Sequence, residues 1–228
     1  LDIGSGSGLF SLAARRLGAT VHSFDYDSQS VACTSELKRR YLPDEAAWTI
    51  EEGSVLDRDY LSSLGTFDIV YSWGVLHHTG AMWSALEYVS MLVAPGGYLY
   101  IALYNDQGVG SRNWKIAKRM YNGLPRGLKF LVLWPAFANL WLPIALRDFL
   151  HRRPFATWKN YQSVRGMSAW RDVVDWVGGY PFEVATPGNV FTLCRHRGFQ
   201  LVKLQTSNGH GCNEYVFINP PGHDKDHE

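Results

Sequence analysis

The chain lacks most of the marks of a specialised setting. Its 228 residues hold three cysteines, Cys33, Cys194 and Cys212, far apart and odd in number. There is no Cys-x-x-Cys pair and no Cys/His spacing suited to a metal. That argues against a zinc framework and predicts a reduced, cytoplasmic setting. Charge of one sign is not in excess either, with 22 Lys+Arg against 21 Asp+Glu and a net charge of +1. Dedicated nucleic-acid binders usually carry a basic surplus, so no nucleic-acid partner is expected. Charged residues make up only 19% and hydrophobic residues 46%, which excludes general disorder and suits one α/β domain with an insertion. No internal repeat, low-complexity tract or signal peptide is visible. The opening Leu1-Asp2-Ile3-Gly4 is the tail of a strand running into glycines, so the chain reads as a fragment without its N-terminal part.

What is present alternates between strand and helix. Val21 to Phe24, ending in Asp25, then Phe67 to Ser72, then Gly97 to Leu103 are β-rich runs. Leu9 to Leu17, Ser28 to Tyr41 and Met82 to Val93 suit helices between them. This alternation predicts a mostly parallel sheet covered on both faces. The pattern stops after Tyr104. Residues 109 to 184 are rich in Trp, Arg and Pro without a clear strand and predict a helical insertion. A helix at Asn189 to Arg197, closed by Gly198, and strands at Gln200 to Gln205 and Glu214 to Ile218 complete the sheet. The expected divisions are therefore a core at 1–108, an insertion at 109–184, the returning core at 185–219 and a loose tail at 220–228.

The strongest chemical signal is Asp2-Ile3-Gly4-Ser5-Gly6-Ser7-Gly8 before a helix. Glycines let a backbone turn tightly and approach a ligand, and the helix start offers free N–H groups. A dinucleotide fingerprint places its third glycine one position later than Gly8. Asp25, at the end of the next strand, is placed to accept hydrogen bonds from ribose hydroxyls, while Asp27 suits a helix cap.

Taken in order, these motifs resemble the class I S-adenosylmethionine-dependent methyltransferases, closely over 1–104 and more loosely over 187–218. Asp2-x-Gly4-x-Gly6-x-Gly8 resembles the family's first motif and Phe24-Asp25 its ribose-binding strand end. Gly53-Ser54-Val55-Leu56-Asp57 resembles the adenine loop, with Ser54 where Asp is usual. This leaves Ser54, Asp57 or the Val55 backbone to meet the adenine. Phe67-Asp68-Ile69-Val70, followed by Trp73-Gly74-Val75-Leu76-His77-His78, resembles the fourth motif, and Pro95-Gly96-Gly97 the turn before the fifth strand.

The resemblance implies a Rossmann-like, doubly wound, mostly parallel sheet with an antiparallel last strand and a helical insertion after the fifth strand. It implies S-adenosyl-L-methionine as cofactor, bound by Asp2, Gly4, Ser5, Gly6, Gly8, Asp25, Tyr26, Ser54, Val55 and Trp73. The likeness is nearest to the small-molecule and quinone-biosynthesis type, which makes an oxygen of a small-molecule, lipid or sugar acceptor the expected target. The stretch Arg165 to Ser168 through Asp175 to Glu183 resembles a bacterial subgroup associated with cell-surface polysaccharide or lipid genes.

His77 and His78 follow the fourth strand and are the candidate bases, with His77 preferred. The structural alternative is that one of them caps the next helix or hydrogen-bonds the backbone. Asp172 and Asp175 share one helix face at i, i+3 spacing. Asp175 is the third catalytic candidate. Tyr104, Asn105, Trp176 and Tyr180 are the candidate acceptor contacts, Glu214 is expected to be structural, and no metal site is expected. Phe130 to Leu146 is apolar except for Asn139 and is flanked by basic residues. Its expected form is a buried helix pair, with a membrane-facing lid in peripheral contact through 124–150 as the alternative. Two rival functions remain open, a dinucleotide-dependent oxidoreductase or epimerase and a non-catalytic binding relative.

Overall fold

The computed structural model describes residues 1–43, 46–207, 209 and 211–222. The expected tail beyond Gly222 lies outside the described residues. The chain divides into two compact units, Leu1–Gln107 with Glu183–Glu228, and Gly108–Phe182.

The first unit is a seven-stranded sheet in the order β3-β2-β1-β4-β5-β7-β6. Its strands are β1 (Asp2–Ile3), β2 (Val21–Asp25), β3 (Trp48–Glu52), β4 (Phe67–Trp73), β5 (Val93–Tyr104), β6 (Gln200–Gln205) and β7 (Cys212–Ile218). Neighbours from β3 to β5 pair in parallel, and β7 runs antiparallel to β5 and β6. The doubly wound sheet with its one antiparallel strand is therefore present.

Helices α1 (Leu9–Arg16), α2 (Ser28–Tyr41), α3 (Arg58–Ser63), α4 (Met82–Ser90) and α9 (Pro187–His196) cover it. α1 and α2 lay Leu12 and Leu37 against Val21, Trp48 and Ile50. On the other face, Val70, Leu99, Ile101 and Phe217 pack with Leu61 of α3, Leu86 of α4 and Val190 of α9. Asp27 caps α2, its carboxylate accepting the Gln29 and Ser30 N–H groups.

Three local expectations are corrected. The helix expected to reach Val93 ends at Ser90, and Val93 already belongs to β5. Pro95-Gly96-Gly97 is not a turn before the fifth strand. It lies inside β5, where Phe67 pairs with Val93 but Ile69 with Tyr98, so the triplet is the slack of a bulge. A Cβ on Gly97 would sit 2.9 Å from the carbonyl oxygens of Ala94 and Asp68, which is why glycine stands there. Strand β3 and helix α3 were not expected at all.

The second unit holds α5 (Val109–Gly123), α6 (Phe130–Leu150), α7 (Ala156–Arg165) and α8 (Ala169–Gly178), and no strand among its described residues. Its aromatics pack on one another: Trp114 meets Trp176 edge-on at 5.7 Å, and Trp141 meets Trp158 at 4.7 Å and Tyr161 at 5.2 Å. The buried helix pair expected over Leu124 to Leu150 is instead one helix of 21 residues, α6, with Pro135 and Pro143 inside it. Both prolines are exposed, as are Leu131 and Asn139, the residues four positions earlier whose carbonyls lose their usual N–H partner.

Candidate active site

The site begins where β1 stops. Gly4, Gly6 and Gly8 all have positive φ, at 75°, 55° and 76°. This backbone region strains any residue with a Cβ, which is why glycine recurs at alternate positions. The three differ in surroundings. A Cβ on Gly4 would meet Val75 Cγ2 at 2.4 Å, and one on Gly8 would meet Thr34 Cγ2 at 2.8 Å. A Cβ on Gly6 would meet nothing within 4 Å. Gly4 and Gly8 are thus held by packing, while Gly6 borders open space.

The loop is tied to β2. Gly4 and Ser5 donate their N–H groups to Phe24 O at 2.9 and 3.2 Å. Gly6 N–H donates to Asp25 Oδ2 at 2.9 Å, and Asp27 N–H donates to Asp25 Oδ1 at 3.0 Å. A carboxylate has about four acceptor directions, so Asp25 keeps capacity for hydroxyl donors. Past Gly8, α1 starts with no side-chain cap. Its first turn therefore presents N–H groups and the positive end of its dipole at the loop.

Two residues expected to touch the cofactor serve the loop from beneath. Asp2 is buried, and Ser11 Oγ donates to its Oδ2. Ser11 Oγ also pairs with Ser23 Oγ at 2.7 Å, which accepts from Trp48 Nε1 at 2.8 Å. Burial pushes the Asp2 carboxyl above the usual carboxylate value, opposed by the Ser11 bond and reinforced by the charge of Asp25. Ser5 is buried too, its Oγ 3.2 Å from Thr34 Oγ1, which donates to Gly6 O at 3.1 Å. Thr34 lay outside every motif. Only its place on the inner face of a helix after the ribose strand hinted at a role.

At the ends of β2 and β3, Tyr26 is exposed, and Gly53 N–H donates to Asp25 O at 3.0 Å. Asp57 is taken as the cap of α3, accepting from Tyr60 N–H at 3.0 Å. Ser54 Oγ accepts from Leu56 N–H at 3.2 Å, and Val55 is buried. After β4, Trp73 stands half exposed, its Nε1 donating to Glu214 Oε1 at 3.2 Å, while Tyr100 OH donates to Glu214 Oε2 at 2.6 Å. Glu214 is therefore a clamp within the sheet.

The adjacent histidines are unlike. His77 is fully buried, its Nδ1 accepts the Tyr104 N–H at 3.4 Å, and its ring lies 3.8 Å from the Tyr104 ring. Its carbonyl accepts from Glu183 N–H at 3.0 Å, and Glu183 Oε2 accepts from Met82 N–H at 2.9 Å at the start of α4. His78 is half-buried, its ring centroid 5.4 Å from that of Tyr104. Asn105 engages both ends of its amide: Nδ2 donates to Ser207 O between β6 and β7 at 3.0 Å, and Oδ1 accepts from Asn213 Nδ2 in β7 at 3.1 Å. It thereby ties the end of β5 to β7 and the residues just before it.

The other candidates lie in the second unit. On α8, Asp172 accepts from Tyr161 OH, Asp175 is exposed, Trp176 is half-buried, and Tyr180 follows, exposed. Among the described residues no group of three or more His, Cys, Asp or Glu is gathered to hold a metal.

Residues 1–99 match the family model described as "Methyltransferase domain". A ubiquinone biosynthesis O-methyltransferase of a Caulobacter species is 32% identical over 111 residues, covering 46% of this chain and 40% of the relative. The Caulobacter vibrioides protein of the same name is 30% identical over 163 residues, covering 68% and 58%. The chain thus spans about half the length of the curated relatives it matches. Among solved structures, PKMT2 from Rickettsia typhi superposes with a TM-score of 0.62 at 13% identity, covering 96% of this chain and 48% of that one. Magnesium protoporphyrin IX methyltransferase from Synechocystis gives 0.55 at 12%, covering 95% and 72%. This strand order, this glycine loop and these relatives all support a class I S-adenosylmethionine-dependent methyltransferase, with residues 1–99 matching the methyltransferase domain.

Proposed function

We propose that the protein transfers a methyl group from S-adenosyl-L-methionine to an oxygen of a small-molecule or lipid- or sugar-linked acceptor. The observation that carries this reading is the open space at Gly6 beside the Asp25 carboxylate. A glycine backbone with room above it fits a ligand's carboxylate and thioether arm, and a carboxylate at the end of the next strand fits a ribose diol. Tyr26, Ser54 and Val55 stand at the ends of β2 and β3, where the adenosine would extend. Trp73, held by Glu214, closes the other side. The curated relatives, named as ubiquinone biosynthesis O-methyltransferases, support oxygen as the acceptor atom.

The cofactor supplies a methyl group already activated on a sulfonium, so the protein's work is alignment and exclusion of water. An oxygen acceptor of high pKa also needs a proton removed. Of the two histidines, His78 is the better base. His77 already commits its Nδ1 lone pair to the Tyr104 N–H, which places its proton on Nε2 and makes it a positioning residue for Tyr104. Asp175, Trp176 and Tyr180, in the second unit, are assigned to the acceptor. The protein works in the cytoplasm, with peripheral membrane contact through 124–150.

The test is mass spectrometry of bacterial extract incubated with full-length protein and isotopically labelled S-adenosylmethionine. A labelled small molecule or lipid supports the reading. Tight binding of S-adenosylhomocysteine without any labelled product favours the non-catalytic relative.

A further inference from the structure

Helix α6 carries two opposite faces. Leu133, Ala136, Trp141 and Asp148 are buried within its own unit. On the other side, Leu131, Trp134, Leu142, Leu146 and Phe149 recur every three to eight residues along one stripe, 55%, 58%, 68%, 57% and 70% exposed. At 1.5 Å per residue the stripe runs about 30 Å. Leaving such a length of apolar side chains in water is costly, and it marks a contact surface.

Charge identifies the occupant. Between Arg126 and Lys159 the chain has six of its 22 Lys and Arg residues and one of its 21 acids. That acid, Asp148, is buried: Thr157 donates to it from N and Oγ1, both at 2.8 Å, and Arg147 lies 3.4 Å away. Arg126, Lys129, Arg152, Arg153 and Lys159 are left with no exposed acid between them, bracketing the stripe at its two ends. The rest of the chain holds 16 basic and 20 acidic residues, so the positive charge is concentrated here. A second copy of this segment would bring like charges together, whereas an anionic lipid surface would neutralise them.

The helix also lines places for lipid groups. A cavity of about 520 Å³ is lined by Trp134, Phe137, Trp141, Phe155 and Trp158. A second pocket, sharing Asp148, has Arg147, His151 and Arg153 among its lining residues. Tryptophans at an apolar boundary with basic residues beyond are the chemistry of a membrane interface.

We propose that α6 lies flat in the surface of an anionic bilayer, its stripe in the acyl boundary and its terminal arginines on headgroup phosphates. It does not span, because its other face carries the buried Asp148 and is covered by neighbouring helices. This gives a lipid chemistry to the peripheral contact suggested above, and it stands or falls separately from methyl transfer.

The experiment is co-sedimentation of the full-length protein with vesicles, while S-adenosylhomocysteine affinity is measured in parallel. Vesicles with about 30% phosphatidylglycerol should bind, with affinity falling about tenfold or more in pure phosphatidylcholine. Leu142→Glu with Leu146→Glu, both at exposed positions, should lower binding to the anionic vesicles by about tenfold or more. Arg152→Gln with Arg153→Gln should remove most of the preference for phosphatidylglycerol. Cofactor affinity should stay unchanged in both variants. Equal binding to both vesicle types, or unaltered binding in the leucine variant, overturns the proposal. So does a wild-type dimer that the leucine variant converts to monomer, which would make the stripe an interface between copies.

Discussion

The Gly6 nitrogen and the Asp25 Oδ2 lie 2.9 Å apart, joining the middle of the glycine loop to the end of the neighbouring strand. A charge-assisted hydrogen bond of this kind is stronger than a neutral one and sets the loop before any ligand arrives. Preorganisation lowers the ordering cost of binding. The two features singled out as separate motifs are therefore one device, in which the ribose-side acid also shapes the backbone cradle.

Gly4 and Gly6 should respond to alanine in opposite ways. At Gly4 the positive φ and the Val75 clash both act on the folded state. A residue with a Cβ in that region costs about 1–2 kcal/mol before the clash, so Gly4→Ala should lower the thermal midpoint by several degrees or more. Gly6→Ala suffers the backbone strain alone and fills the open space. It should lose cofactor affinity by more than its smaller stability loss accounts for. Thermal melts and calorimetry on the two variants check this.

The histidines separate by kinetics. His78→Ala should lower kcat by about 10²–10⁴-fold with cofactor affinity near normal, the range for loss of a general base. His77→Ala should lower stability by about 1–3 kcal/mol, because it removes a fully buried ring and its bond to the Tyr104 N–H. A full loss of turnover in a stable His77→Ala protein, with His78→Ala unaffected, would reverse the assignment.

Lys118 gives a pH prediction. Burial lowers its ammonium from the ordinary 10.5 to about 7, and its Nζ donates to the Trp176 carbonyl and lies 4.1 Å from the Trp176 ring centroid. Between those two pH values the unfolded chain holds a proton that the folded chain has released. Stability from this residue is therefore complete above pH 10.5 and is lost as pH falls through 7. Urea titrations at several pH values should show stability of the unit Gly108–Phe182 rising from neutral to mildly alkaline pH, and Lys118→Met should flatten that rise.

The legible parts of the sequence were those where only one residue type serves. Gly4, Gly6 and Gly8 need positive φ, Asp27 caps α2, and Gly198 takes φ 85° after α9. Strand β3 was missed because Trp-Thr-Ile-Glu-Glu at the sheet edge buries Trp48 and ends in two acids, Glu51 accepting from Tyr60 OH and Glu52 exposed. Thr34 and Val75 escaped notice because their role is to fill space against glycines distant in sequence, which no local pattern records. Asn105 looked unengaged at a strand end, but Ser207 and Asn213, more than 100 residues later, bond to its amide. Pro135 and Pro143 argued for a broken helix, while their exposed positions let α6 continue.

Calorimetry of S-adenosylhomocysteine with full-length protein, wild type beside Asp25→Ala, tests the central claim most directly. A hydrogen bond to a charged group contributes about 1.5–3 kcal/mol, so the loss in affinity should be about tenfold or more. The parallel titration with NAD should give no heat of binding. Unchanged S-adenosylhomocysteine affinity in the variant, or tight NAD binding to the wild type, would contradict the account.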